Sequence, residues 1–129
     1  MPHTTNYFNT FIAVAEDCPV TTSEVPPTKE PASAAQIEFA MLDSKPYCYT
    51  SDEVLYAANG KRRGLSQVDF FSKGQPCFRS SPLTRRYGWG IHADADGKLA
   101  IYPVDSAEYK RLVSNSDIKQ LKAMRSKRA

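Results

Sequence analysis

The strongest constraint on this chain lies near its C-terminal end. Two apolar-rich runs, 87–93 and 99–104, flank Asp94-Ala95-Asp96-Gly97. Gly97 is placed to supply the positive φ that a tight hairpin turn needs, so the second half is committed to antiparallel sheet. Residues 7–15, rich in aromatic and β-branched types, read as a further buried strand. The stretch 118–124 alternates weakly through Ile118, Leu121 and Ala123 and fits either a last strand or a short helix.

Helices fill the space between. Ser33 opens one on which Ile37, Ala40, Met41 and Ser44 share a face, and Pro46 stops it. Thr50-Ser51-Asp52-Glu53 is a capping-box pattern, expected to start a helix that runs to Gly60 or Gly64 with Val54, Leu55 and Ala58 inward. A short helix over 66–73 follows, capped by Ser66 and ended by Gly74. Residues 74–86 read as a loop, and 106–114 as a helix with Tyr109, Leu112 and Val113 inward. The expected fold class is α+β: one domain over 1–129, about four antiparallel strands, and helices packed on one face. Residues 19–32, with four of the nine prolines, form a loop, and 119–129 form a basic C-terminal segment.

A length of 129 residues suits one such domain. With 41% hydrophobic and 24% charged residues, the composition excludes a disordered chain or a collagen-like fibre. Three cysteines, Cys18, Cys48 and Cys77, are too few and odd in number for a disulfide framework, and a reducing, cytoplasmic setting is expected. The N-terminus lacks the basic and apolar regions of a signal peptide. The longest apolar run, Phe11-Ile12-Ala13-Val14-Ala15, is far short of a membrane span, so no membrane partner is expected.

Charge is divided unevenly. Residues 1–60 carry 2 basic and 8 acidic side chains, and residues 61–129 carry 15 and 6. The two halves can neutralise one another across the fold, or the basic half can meet an anion. The basic residues interleave with binding-type residues between 73 and 92: Lys73, Arg79, Arg85 and Arg86, with the aromatic rings of Tyr87 and Trp89, and His92. No acidic residue lies from 70 through 93. Arginine forks match phosphate and carboxylate oxygens, glycines let backbone N–H groups approach, and a flat ring can stack a planar ligand. The expected function is therefore binding of a phosphate- or carboxylate-bearing small molecule by the 73–92 loop.

Two alternatives stand beside it. Cys77 and His92 would form a nucleophile–base pair if the loop folds back, with Asp94 or Asp69 as the orienting group. The tail Lys119–Arg128 holds five cations and no anion, which suits a nucleic acid or an acidic protein. Other motifs fail on context. Gly88-Trp89-Gly90-Ile91-His92-Ala93 matches a dinucleotide-binding pattern but precedes a hairpin turn, not a helix. Asp94-x-Asp96-Gly97 continues with Lys98 where a calcium loop needs a ligand, and no Cys or His pair has zinc spacing. No metal or cofactor is expected.

Several blocks resemble a family of small uncharacterised microbial proteins. They are Thr4-Thr5-Asn6-Tyr7-Phe8-Asn9-Thr10-Phe11-Ile12, Ala15-Glu16-Asp17-Cys18-Pro19, Tyr49-Thr50-Ser51-Asp52-Glu53-Val54-Leu55, Phe71-Ser72-Lys73-Gly74-Gln75-Pro76-Cys77, Arg86-Tyr87-Gly88-Trp89-Gly90-Ile91-His92 and Met124-Arg125-Ser126-Lys127-Arg128. The resemblance spans nearly the whole chain except 24–36 and 57–68. It implies a domain that stands alone and brings no activity, cofactor or catalytic residue with it.

Overall fold

A computed structural model describes residues 5–30, 32–72 and 78–124. Among these residues four strands form one sheet: β1 (Thr10–Ala13), β2 (Trp89–Ala93), β3 (Leu99–Pro103) and β4 (Lys119–Lys122), in the order β3-β2-β1-β4. The hairpin is the β2–β3 pair, in register from Trp89 opposite Pro103 to Ala93 opposite Leu99. Its turn is tied by Asp94, whose Oδ1 accepts from the N–H groups of Asp96 and Lys98 at 2.9 Å each, while Gly97 sits at φ 80. The segment 118–124, open between strand and helix in the sequence, contributes β4.

The sheet is mixed, which corrects the expectation of purely antiparallel strands. β1 pairs antiparallel with β2 but parallel with β4. The cause is the helix α5 (Ala107–Val113) between β3 and β4: a strand reached through a packed helix returns in the direction of the one before it.

The helices do not all lie on one face. Strand alternation sends Ile12, Trp89, Ile91, Ala93, Leu99, Ile101 and Leu121 to one side of the sheet. That side packs on α1 (Ala34–Ser44), α2 (Ser51–Leu55) and α4 (Pro82–Arg85) through Phe39, Leu42, Val54, Leu55 and Leu83. Phe11 and Ala13 point the other way and meet Tyr109 of α5. The Phe11 and Tyr109 rings lie edge to face at 5.1 Å, and the Tyr109 hydroxyl accepts from the Val14 N–H at 3.0 Å. Gly90 lies under them. A Cβ there would stand 2.6 Å from both Phe11 and Tyr109, so this glycine serves ring packing within the protein.

The caps follow the sequence. Ser33 accepts from the Gln36 N–H, and Thr50 and Glu53 complete the capping box at 3.3 and 2.9 Å. The chain after α2 winds through a π turn and a 3₁₀ turn to Gly64, and Ser66 caps α3 (Gln67–Phe71). Four details differ. Val113, expected inward on α5, is exposed. β1 is shorter than 7–15. The described part of the expected 74–86 loop is a 3₁₀ turn at Phe78–Ser80 followed by α4, which Ser81 caps and Pro82 opens. Proline at the first helical position is compatible with a helix because that N–H has no intrahelical partner. On α1 the buried stripe is Ala35, Glu38, Phe39 and Leu42, whereas Ala40 and Ser44 are exposed. Phe39, edge-on to Trp89 at 5.2 Å, sets that rotation and carries Glu38 inward.

Both sheet edges are partly closed. On β4 the odd residues bond to β1, as in Lys119 N–H to Asn9 O at 2.8 Å and Ala123 N–H to Ala13 O at 2.9 Å. Its outward-facing groups meet Arg79, whose Nε donates to Lys122 O and whose carbonyl accepts from the Met124 N–H, each at 2.7 Å. On β3 the outer edge is met by residues 47–50, with Tyr47 N–H to Leu99 O and Leu99 N–H to Tyr49 O both at 2.8 Å.

Candidate functional site

The residues expected to form one anion cradle are dispersed. Lys73 and Cys77 lie outside the described residues, so neither the full cradle nor a Cys77–His92 pair is placed. Arg79 is engaged at the β4 edge. Arg86 donates to Glu24 at 3.2 Å on an exposed surface, and its guanidinium sits 5.2 Å from the centre of the Tyr87 ring. Arg85 is half-buried at the end of α4. Trp89 belongs to the core at 8% exposure, and its indole N–H donates to Glu24 O at 2.8 Å. The Glu24 backbone is pinned in turn by its N–H to Tyr87 O. Acidic first half and basic second half thus meet at Glu24–Arg86 and Glu16–Lys122.

His92 takes a different position. It lies one residue out of phase with Trp89 and Ile91 on β2, and so belongs to the opposite face of the sheet, cross-strand from Phe11 and Ala100. There its Nδ1 is hydrogen-bonded to the Tyr47 hydroxyl at 2.8 Å, and that hydroxyl to the Tyr102 hydroxyl at 2.7 Å. The Tyr47 and His92 rings meet edge to face at 5.7 Å. The row joins three elements: the segment after α1, β2 and β3. All three side chains are partly exposed.

Its electrostatics follow from half-burial. Desolvation lowers the His92 pKa below 6.5, against a weaker opposing pull from the Asp94 carboxylate. Desolvation and the neighbouring Tyr102 push the Tyr47 hydroxyl well above its ordinary value. At neutral pH the row therefore holds a neutral imidazole and a protonated Tyr47 hydroxyl. Asp94, expected as an orienting group for His92, acts on it only through charge among the described contacts, and its Oδ1 ties the hairpin turn. Asp69 sits in the first turn of α3, where its N–H meets the Ser66 cap.

Tyr47 and Tyr102 were not singled out from the sequence. Tyr102 was accessible in principle, since alternation places it on the His92 face one pair along the hairpin. Tyr47 was not: it follows Pro46 and adopts φ 59, a left-handed conformation rare for a bulky residue. Such conformations persist only where surrounding contacts over-determine them, and here the bond to Leu99 O holds the backbone.

A second polar pair is buried. Glu38, at 2% exposure, accepts from the Ser81 hydroxyl at 2.6 Å, and the same Ser81 oxygen accepts from the Leu83 N–H. Burial pushes the Glu38 carboxyl up to about 7 despite that hydrogen bond. Among the described residues, no group of three or more His, Cys, Asp and Glu side chains is placed to hold a metal ion. No described helix is long and apolar enough to cross a membrane.

The model of a family of unknown function, DUF6157, matches residues 2–129, and the chain belongs to that family. No curated protein and no solved structure matches it.

Proposed function

We propose that this member of a family of unknown function is a small-molecule-binding domain whose contact surface is the sheet face at His92. The reading is carried by one observation: three polar side chains from separate elements are joined in a single hydrogen-bonded row on a partly exposed surface. Buried Ser81 and Thr84, by comparison, spend their hydrogen bonds on neighbouring backbone and on Glu38. His92 Nε2, by contrast, has no hydrogen bond among the described residues, and it is the ring nitrogen left for a ligand. A neutral imidazole at neutral pH can donate or accept there.

The anionic small molecule expected from the 73–92 stretch is the second reading, and Arg86 favours it. Its guanidinium is stacked on Tyr87 and held by one exposed carboxylate, Glu24, which a phosphate or carboxylate can displace. Free Cys18 and Cys48 accord with a reducing, cytoplasmic setting.

A thermal-shift screen of neutral amides, alcohols, carboxylates and inorganic phosphate separates these readings. A ligand at about 100 times its Kd stabilises by roughly 2.7 kcal/mol. The expected result is a stabilising compound whose effect is lost in His92→Ala and kept in Arg86→Ala. The reverse pattern supports the arginine site, and loss in neither variant rejects both.

A further inference from the structure

Resting on the His92 surface as the binding site, we infer that the Tyr102–Tyr47–His92 row is a reversible proton relay that lets neutral His92 present either a donor or an acceptor to an uncharged amide or hydroxyl ligand. Each hydroxyl carries one proton, and Tyr47 stands between two partners. When His92 is neutral, two arrangements keep both bonds and spend the Tyr47 proton inside the row. In one, Tyr102 O–H donates to Tyr47, Tyr47 O–H donates to Nδ1, and Nε2 carries the ring proton as a donor. In the other, Nδ1–H donates to Tyr47, Tyr47 donates to Tyr102, Nε2 is an acceptor, and the Tyr102 proton points out of the row.

In these two arrangements the ends of the neutral row have opposite sense. Interconversion moves protons without net charge. A proton arrives at Nε2, the Nδ1 proton passes to the Tyr47 oxygen, the Tyr47 proton passes to the Tyr102 oxygen, and the original Tyr102 proton leaves to water while the ligand or water at Nε2 supplies the replacement. The neutral site thus meets a hydrogen-bond donor or acceptor equally, as a neutral amide or hydroxyl compound presents. When His92 is protonated, Nε2–H and Tyr102 O–H both donate, and the site then suits a carboxylate or phosphate. The charge that acts on His92 and Tyr47 is the Asp94 carboxylate, which opposes an anion. An anion at this site accordingly depends on the His92 charge.

The test is ¹⁵N NMR of the His92 ring on the intact protein, which distinguishes the two neutral tautomers and the cation. At pH above the His92 midpoint, wild type is expected to show shifts averaged between tautomers. Tyr102→Phe takes away the other acceptor of the Tyr47 proton, so Tyr47 keeps that proton bonded only by donating to Nδ1 and its His92 should shift toward the Nε2–H tautomer. Acetate should raise the His92 titration midpoint, and acetamide should move the tautomer average without raising it. A single tautomer, the same in wild type and Tyr102→Phe, overturns the relay even if acetamide shifts the His92 signals and binding stands. Averaged tautomers with no response to either probe keep the relay and reject this surface as the binding site. Tyr47→Phe, which breaks the row at its middle, should abolish the difference made by Tyr102→Phe.

Discussion

Replacing the buried Glu38 by glutamine should make the protein more stable at alkaline pH relative to wild type, and only there. The carboxyl is raised from 4.5 to about 7 by desolvation on the buried stripe of α1. Because the folded value exceeds the unfolded one, the unfolded chain binds fewer protons than the folded protein between those limits. Wild-type stability therefore falls as pH rises from about 4.5 through about 7, then levels off. At about 1.4 kcal/mol per pH unit, the loss is on the order of 3 kcal/mol. Glu38→Gln keeps an acceptor for the Ser81 hydroxyl at 2.6 Å but cannot ionise. Its unpartnered amide N–H adds a cost of about 1–3 kcal/mol that does not depend on pH. Urea unfolding of both proteins from pH 4 to 9 isolates the effect as the change in their difference, which cancels the titration of His92. A difference growing by about 3 kcal/mol over that interval is expected. A flat difference would refute the claim that burial governs this carboxyl.

Other perturbations read other parts of the fold. Gly90→Ala drives a methyl against Phe11 and Tyr109 at 2.6 Å and should cost about 1–3 kcal/mol in urea unfolding. Thr50→Ala removes one half of the capping box and should cost about 1 kcal/mol by the same measurement. Arg79→Ala uncovers Lys122 O on the outward edge of β4, and sedimentation should then show more self-association than in wild type. Tyr109→Phe strips the Val14 N–H of its acceptor, for a loss of about 1–3 kcal/mol without change in the far-ultraviolet circular dichroism.

What the sequence disclosed and what it concealed divide along physical lines. Turn and cap chemistry is local, so Gly97, Ser33, Ser66 and the Thr50–Glu53 box could be read from neighbouring residues alone. The faces of elements are set by what they pack on. The Ile37–Ser44 stripe looked apolar, yet the contact of Phe39 with Trp89 rotates α1 and buries Glu38. Strand direction is likewise non-local: α5 between β3 and β4 makes β4 parallel to β1, a consequence of the crossover that the residues of β4 do not encode.

The candidate site was half legible for a related reason. His92 was identified within a basic stretch, but strand alternation separates it from Trp89, and Arg79 and Arg86 bond to different parts of the protein. Proximity along the chain suggested a cradle, whereas the pleat of β2 divides its members between two faces. The partner His92 does have, Tyr47, comes from 45 residues earlier and is itself bonded by Tyr102 of the other hairpin strand, and Tyr47 reaches His92 through a backbone conformation that no propensity favours.

His92, Tyr47 and Tyr102 form one hydrogen-bonded unit. A pH titration of the wild-type protein by NMR, following the His92 ring and the ring carbons of both tyrosines, tests it most directly. Half-burial predicts a His92 midpoint below 6.5, and the row predicts Tyr47 and Tyr102 signals moving at that same midpoint. A midpoint at or above 6.5, with both tyrosines unmoved, would contradict it.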